Sequence, residues 1–185
     1  MLEKELKPQN LKYKMKAIKI ILGIITVLVI IFFSTGLIVK ETTYQVRVEI
    51  NKPISEVFTA FNDQNSMKNW LPEVKSVEPI NIKPGIVGSE YKMTVDNNGQ
   101  IVVMREKVMA YVSNKKVTLF FDAEDMLKTD DYNFTAEDGN TTIVKDVICK
   151  SESYIMSCMF PYLKGFFTDM DQKYLDDFKA YIEKQ

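Results

Sequence analysis

Histidine is absent from all 185 residues. That removes the commonest general base, the Ser-His and Cys-His nucleophile pairs, and most catalytic zinc sites. The sequence also lacks a GxSxG elbow, a Walker loop, a GxGxxG turn and a CxxC pair. Any chemistry would fall to Asp, Glu, Lys, Tyr or ordered water, and no metal or cofactor is expected. A basic stripe interleaved with aromatics is missing too. The whole chain carries −1, and residues 1–19 hold six lysines against Glu3 and Glu5, a balance of +4, which leaves −5 for the remainder. An acidic domain is a poor partner for a phosphate backbone, so no nucleic-acid partner is expected. Internal repeats and low-complexity segments are absent as well.

What is present is one long apolar run. Residues 20–39 contain no charge, and fifteen of the twenty are Ile, Leu, Val or Phe. A helix of this length spans roughly 30 Å, the thickness of a bilayer's hydrocarbon core. At about −0.3 to −0.6 kcal/mol per apolar residue, the run favours insertion by roughly −5 to −9 kcal/mol. The lysine excess in the basic segment 1–19 keeps that end in the cytoplasm, so a single-pass cell-membrane protein with its domain outside is expected. A cleaved signal peptide is the rival, with small residues at Ser34-Thr35-Gly36. Leu37, Ile38 and Val39 continue the run past that site, which favours an uncleaved anchor.

The two cysteines, Cys149 and Cys158, both follow the span. A disulfide and a pair of small buried hydrophobes are equally open readings. Asn133-Phe-Thr135 and Asn140-Thr-Thr142 match the glycosylation tripeptide, which matters only in a eukaryotic secretory route.

After a short linker, 40–42, residues 43–185 are long enough for one domain. Thr43 to Ile50 alternates as a strand with Tyr44, Val46, Val48 and Ile50 on one face. Pro53 suits a first helical turn, and Ile54, Val57, Phe58 and Phe61 form one apolar stripe. A shorter helical turn carries Met67, Trp70 and Leu71 up to Pro72. Strands then follow at Val74–Ile82, Ser89–Val95, Gln100–Tyr111, Lys116–Asp122, Lys128–Thr135 and Thr141–Lys150. Turn chemistry separates them at Lys83-Pro84-Gly85, Asp96-Asn97-Asn98-Gly99, Ser113-Asn114 and Glu137-Asp138-Gly139-Asn140. Short turns between consecutive strands predict an antiparallel meander. A long helix closes the chain, with Phe160, Leu163, Phe167, Met170, Tyr174, Phe178 and Tyr181 on one stripe and Asp171 on another face.

With that order in hand, the residues resemble the START-like superfamily known as SRPBCC, of the polyketide cyclase/dehydrase and lipid-transport type. Val48-Glu49-Ile50-Asn51-Lys52-Pro53-Ile54-Ser55-Glu56-Val57-Phe58 looks like the family's first strand running into its first helix. Asn69-Trp70-Leu71-Pro72 is similar to its Trp-x-Pro. Pro84-Gly85-x-x-Gly88, Gly139-Asn140-Thr141-Thr142 and Leu175-x-x-Phe178-Lys179-x-x-Ile182-Glu183 add to the likeness. The resemblance implies an α+β helix-grip fold: a seven-strand curved antiparallel sheet around a long C-terminal helix, in the order β-α-α-β6-α after the transmembrane helix. It also implies an apolar cavity between sheet and helix for a hydrophobic small molecule or lipid. The loop before the last helix departs from the family, reading Ser151–Met159 with two methionines and a cysteine.

Candidate ligand-binding residues are Trp70, Tyr91, Met93, Met104, Tyr132, Phe134, Phe160, Leu163, Phe167 and Met170. Each has a plainer reading as core. The stripe from Phe160 to Met170 would roof the cavity, whereas Tyr174, Phe178 and Tyr181 would be solid core. Met93, Met104, Met109, Met126, Met156, Met159 and Met170 suit either an adaptable cavity or gap-filling. Glu106 is a weak catalytic candidate. Strand phase is ambiguous across Arg105-Glu106-Lys107, and the favoured phase turns Glu106 to solvent with Arg105 inward. Asp130-Asp131 with Glu124-Asp125 reads as a solvated acidic turn rather than a calcium loop. Three functions follow: a membrane-anchored monomer that sequesters or transfers a lipid-like molecule, a cyclase/dehydrase-type enzyme using Glu106, Tyr91 or Tyr132, or a protein-interaction module with a filled cavity.

Overall fold

The apolar run folds as expected for a span, within a longer helix. In the computed structural model, which describes residues 8–97 and 99–185, α1 covers Pro8–Ile38. Its segment Tyr13–Ile38 is long and apolar enough to cross a membrane, with a mean hydropathy of 2.7 and almost no burial against the rest of the protein. Lys4, Lys7, Glu3 and Glu5 of the basic segment lie outside the described residues, as does Asn98 of one expected turn.

The strand β1, Thr42–Ile50, buries every second residue, as its alternation predicts. It leads through α2, Ile54–Phe61, and a 3₁₀ turn at Met67–Asn69 into β2, Val74–Asn81. The remaining strands are β3 (Glu90–Asn97), β4 (Gln100–Val112), β5 (Lys116–Ala123), β6 (Met126–Glu137) and β7 (Asn140–Lys150). All seven form one antiparallel sheet in the order β1-β7-β6-β5-β4-β3-β2. The β6–β7 hairpin turns on Asp138 (φ 50°) and Gly139 (φ 84°), consecutive positive values that set a tight two-residue connection.

The last helix, α3, runs from Tyr154 to Ile182, not from Phe160. Only Ser151, Glu152 and Ser153 remain of the expected nine-residue loop. Ser151 accepts from the Ser153 N–H at 3.0 Å, and the Ser157 hydroxyl donates back to the Ser151 carbonyl at 3.1 Å, which starts the helix early. Pro161 then lies inside it, where its missing N–H leaves the Ser157 carbonyl without a helical partner. The first turns of α3 also pack on the last turns of α1. A Cβ added at Gly36 would stand 2.5 Å from Cys158 Sγ, so glycine permits this approach. Both cysteines are free and buried, Cys149 on β7 and Cys158 beneath α1, which removes the disulfide reading.

The packed core fills the β1–β7–β6 half of the sheet, beneath α2 and the C-terminal half of α3. Phe61 meets Tyr132, Phe134, Trp70 and Phe178 with ring centroids 4.7 to 5.8 Å apart, and Trp70 lies 4.9 Å from Phe178. Along α3 the buried positions are Cys158, which packs on α1, and Phe160, Asp171, Leu175, Phe178 and Ile182. Phe178 is buried as expected, but around it the stripe shifts by one residue, with Asp171, Leu175 and Ile182 buried in place of Met170, Tyr174 and Tyr181. Tyr174 and Tyr181 are half-buried flanks, and Leu175 and Ile182 take the centre. Phe178→Ala should lower unfolding stability by about 3–5 kcal/mol, the range for emptying a core aromatic site, and Tyr181→Ala by clearly less, as read by denaturant melts of the detergent-solubilised chain.

Candidate functional site

The space between the sheet's concave face and α3 has charged groups at its centre. Period-2 alternation turns Lys128, Asp130, Tyr132 and Phe134 of β6 inward together, as it does Ile143, Lys145 and Val147 of β7. Asp171 comes down from α3 with 1% of its surface exposed. Lys145 Nζ lies 2.8 Å from Asp130 and 2.9 Å from Asp171, while Lys128 Nζ lies 3.3 Å and 2.9 Å from the same two carboxylates. The Tyr44 hydroxyl donates to Asp171 at 2.8 Å, and the Tyr132 hydroxyl lies 3.4 Å from Asp130. Two lysines and two aspartates cancel, which is the condition under which charges survive burial.

The ionisation states follow from these contacts. Burial alone would raise Asp171, but Lys128 and Lys145 outweigh it and hold the carboxyl below its ordinary range. Burial alone would lower Lys145, and Asp130 with Asp171 outweigh it in the opposite sense. Burial, reinforced by the neighbouring aspartates, keeps Tyr44 and Tyr132 un-ionised.

Glu106 lies outside this balance. The favoured phase for β4 is wrong: Arg105 is exposed and Glu106 points inward, 5% exposed. β4 keeps strict register with β3 here, setting Glu106 opposite Tyr91 and Met104 opposite Met93. Burial, and secondarily the charge of Asp130, pushes Glu106 up to about 7. Among the described residues, its Oε2 and the Asp130 Oδ1 are buried without a hydrogen-bond partner, as are Trp70 Nε1 and Glu73 Oε2 away from β4 and β6. Buried polar atoms are almost always satisfied, so two such acceptors on one concave face mark a place where a donor is wanted. The expected solvated acidic turn is also corrected, because Asp130 is in phase with Tyr132 and buried. Asp131, by contrast, bonds Lys116 and Thr118 on the outer face.

The named ligand candidates fall into three groups. Trp70, Tyr132 and Phe134 sit in the closed aromatic core around Phe61. Tyr91, Met93 and Met104 share the β3–β4 half of the concave face with Glu106, where Tyr91 and Met104 are only half-buried. Phe160, Leu163, Phe167 and Met170 lie on α3, with Phe160 edge-on to Phe167 at 5.7 Å. Met109 and Met159 are exposed, and the irregularity between Val108 and Ala110 accompanies the outward turn of Met109. Sequence reasoning missed Tyr44, Lys128, Asp130, Lys145 and Asp171. A lysine in phase with Ile143 and Val147 was the available signal. An open groove of about 400 Å³ lies elsewhere, between Trp70 and Pro72 and the end of α3 at Tyr181 and Lys184.

Residues 41–182 match the family described as polyketide cyclase/dehydrase and lipid transport. No curated protein matches the sequence. Among solved structures, a conserved protein from Geobacillus kaustophilus aligns at a TM-score of 0.64 and 12% identity, over 77% of this chain and 96% of its own. The ginseng major latex-like protein 151 from Panax ginseng aligns at 0.59 and 12%, over 77% and 97%. The di-domain ARO/CYC StfQ from the steffimycin biosynthetic pathway aligns at 0.63 and 11%, over 78% of this chain and 51% of its own. At these identities the likeness is one of fold.

The pH dependence of stability tests the Glu106 environment. An unfolded glutamate ionises near 4.5 and the folded one near 7, so the folded state binds the extra proton between those values. Its contribution is full below 4.5 and is lost as pH rises through 7. Glu106→Gln should therefore gain about 3 kcal/mol on the parent between pH 4.5 and pH 8 in denaturant melts.

Proposed function

Because the chain belongs to the polyketide cyclase/dehydrase and lipid transport family, we propose that it binds a hydrophobic small molecule or lipid between the sheet and α3, held at a membrane by α1. The observation that carries this reading is the pairing of half-buried apolar side chains on β3–β5 with two unpartnered acceptors of the concave face, Glu106 Oε2 on β4 and Asp130 Oδ1 on the adjoining β6. Tyr91, Met104, Leu119 and Phe121 point to the same side as Glu106, and Phe167 and Met170 of α3 are likewise half-buried. An apolar body would cover these side chains, at about 25 cal/mol per Å² of surface removed from water. A hydroxyl or amine at its polar end would satisfy Glu106 and Asp130. The ligand class is therefore an amphiphile whose polar end donates hydrogen bonds.

In this reading the protein is a monomer whose domain, residues 43–185, lies outside the cell, with the basic segment 1–19 in the cytoplasm. Protease added to intact cells should then remove the domain and spare the N-terminal segment. A mature chain beginning at residue 37 would show cleavage instead of anchoring.

Glu106 favours a second reading. A buried carboxyl near 7 is matched to acid–base work at neutral pH, as a cyclase or dehydrase would need. The two readings separate on one comparison. Mass spectrometry of gently extracted protein should find an amphiphile bound to the parent chain and to Glu106→Gln, which keeps an acceptor. Glu106→Leu should weaken its binding about tenfold, the worth of one hydrogen bond to a buried group. Turnover of the bound compound by the parent, abolished in Glu106→Gln, would establish the enzyme. The absence of any bound compound would leave a filled, partner-binding module.

A further inference from the structure

We propose that the outer face of the first half of α3 rests on the lipid surface of the same bilayer that α1 crosses, so that the domain is docked as well as tethered. The proposal rests on reading α1 as a membrane span. Its origin is the contact between the two helices. Tyr162 stacks on Phe32 with centroids 6.0 Å apart and lies 2.8 Å from the Thr35 hydroxyl. Tyr154 stacks on Phe33 and donates its hydroxyl to the Phe33 carbonyl, while Cys158 lies against Gly36.

These partners fix depth and direction. Phe32 stands six residues before Ile38, so at 1.5 Å per residue it lies about 9 Å below the end of the helix. A side chain stacked on Phe32 is carried to that depth. Tyr154 and Tyr162, two turns apart on α3, touch neighbouring residues of α1. The helices therefore cross instead of running side by side, and α3 lies across the span, as an interfacial helix lies across a bilayer normal.

The surface of α3 beside this crossing is apolar. Ile155, Met159, Tyr162 and Phe166 follow at steps of four, three and four on one stripe, with exposures of 59%, 36%, 59% and 64%. None of them belongs to the core that holds α3 to the sheet. A stripe of this size is costly in water and is the form taken by helices that lie in a headgroup layer, where tyrosine is favoured. Lys164 is exposed nearby on another face, and its long stem reaches the headgroups without burying its charge. Asp169 and Lys173 mark where the polar surface resumes.

The rival apolar patch points the other way. α1 enters β1 at Thr42, and the antiparallel order places the far end of β2, with exposed Ile82, at the opposite end of the sheet. Ile82 is 57% exposed, comparable with Ile155, and so serves as a matched control.

The test uses the full chain in vesicles of phosphatidylcholine and phosphatidylglycerol that contain acyl-chain-brominated phosphatidylcholine. Tryptophan is introduced singly by Ile30→Trp in the span, Phe166→Trp in the stripe and Ile82→Trp at the far end. The signal of Trp70 is measured in the parent and subtracted. The expected result is quenching at 166 several-fold stronger than at 82 and approaching that at 30. Strong quenching at 30 with equal, weak quenching at 166 and 82 would overturn the docking while sparing the span. Failure of quenching at 30 would remove the span and the docking together. Concentration-dependent crosslinking through 166 without quenching would assign the stripe to a second copy and overturn the proposal. Adding Ile155→Lys should cut quenching at 166 several-fold without changing the domain's thermal unfolding. A change in unfolding with quenching retained would mean that the stripe serves packing, which also overturns it.

Discussion

Asp171 sets how α3 is held by the sheet. A helix laid over a concave sheet can settle at several rotations when apolar residues alone decide, because most large side chains fit most depressions approximately. A carboxylate that takes bonds from Lys128, Lys145 and Tyr44 has one placement, since any other leaves two buried ammonium groups facing a single aspartate. Replacement of such networks by apolar residues is often neutral or stabilising, so their contribution is better sought in specificity than in net energy. Here the specificity has a visible product. With Asp171 at the centre, Leu175, Phe178 and Ile182 fall into the packed core, and Phe167 and Met170 stay half-buried.

That same network explains where the sequence could be read and where it could not. The order of elements, the seven strands and the turn at Asp138-Gly139 are local properties, encoded by period-2 alternation and by residues that accept positive φ. They were legible. The rotation of α3 was not, because counting large apolar side chains favours Tyr174 and Tyr181, and an aspartate scores as a solvent-facing residue until its partners are known. Those partners sit on β6 and β7, far along the chain. The early start of α3 was hidden for a similar reason: its first turns are stabilised by Ser151 and by α1, and Pro161 looks like a helix beginning when viewed alone.

Glu106 shows the limit at the candidate site. Three consecutive charges in β4 allow either phase, and only the register with β3 settles which is buried. Lys128, Asp130 and Lys145 were legible in principle, since each shares a phase with apolar neighbours that plainly face inward. What alternation cannot say is whether a buried charge is balanced. The quartet is balanced and needs no ligand. Glu106 has no such partner, and one oxygen of Asp130 is left over from the quartet, so the candidate binding region narrows from the whole concave face to β3–β5 and the edge of β6 beside it.

α3 thereby carries three different environments along one axis. Its last turns are core, its middle is the charge network, and its first turns combine a contact with α1 and an apolar outer stripe. If those first turns lie in the headgroup layer, as proposed, then Phe160 and Phe167 face the concave space while Phe166 faces lipid, within two turns of one helix. An amphiphile leaving the bilayer at that point would move from one apolar surface to another without exposing its chain to water. Its donor end would then find Glu106 and Asp130 further in. The energetic barrier to transfer is the wetting of the chain, and a helix wetted on neither side at its first turns is a physical means of lowering it.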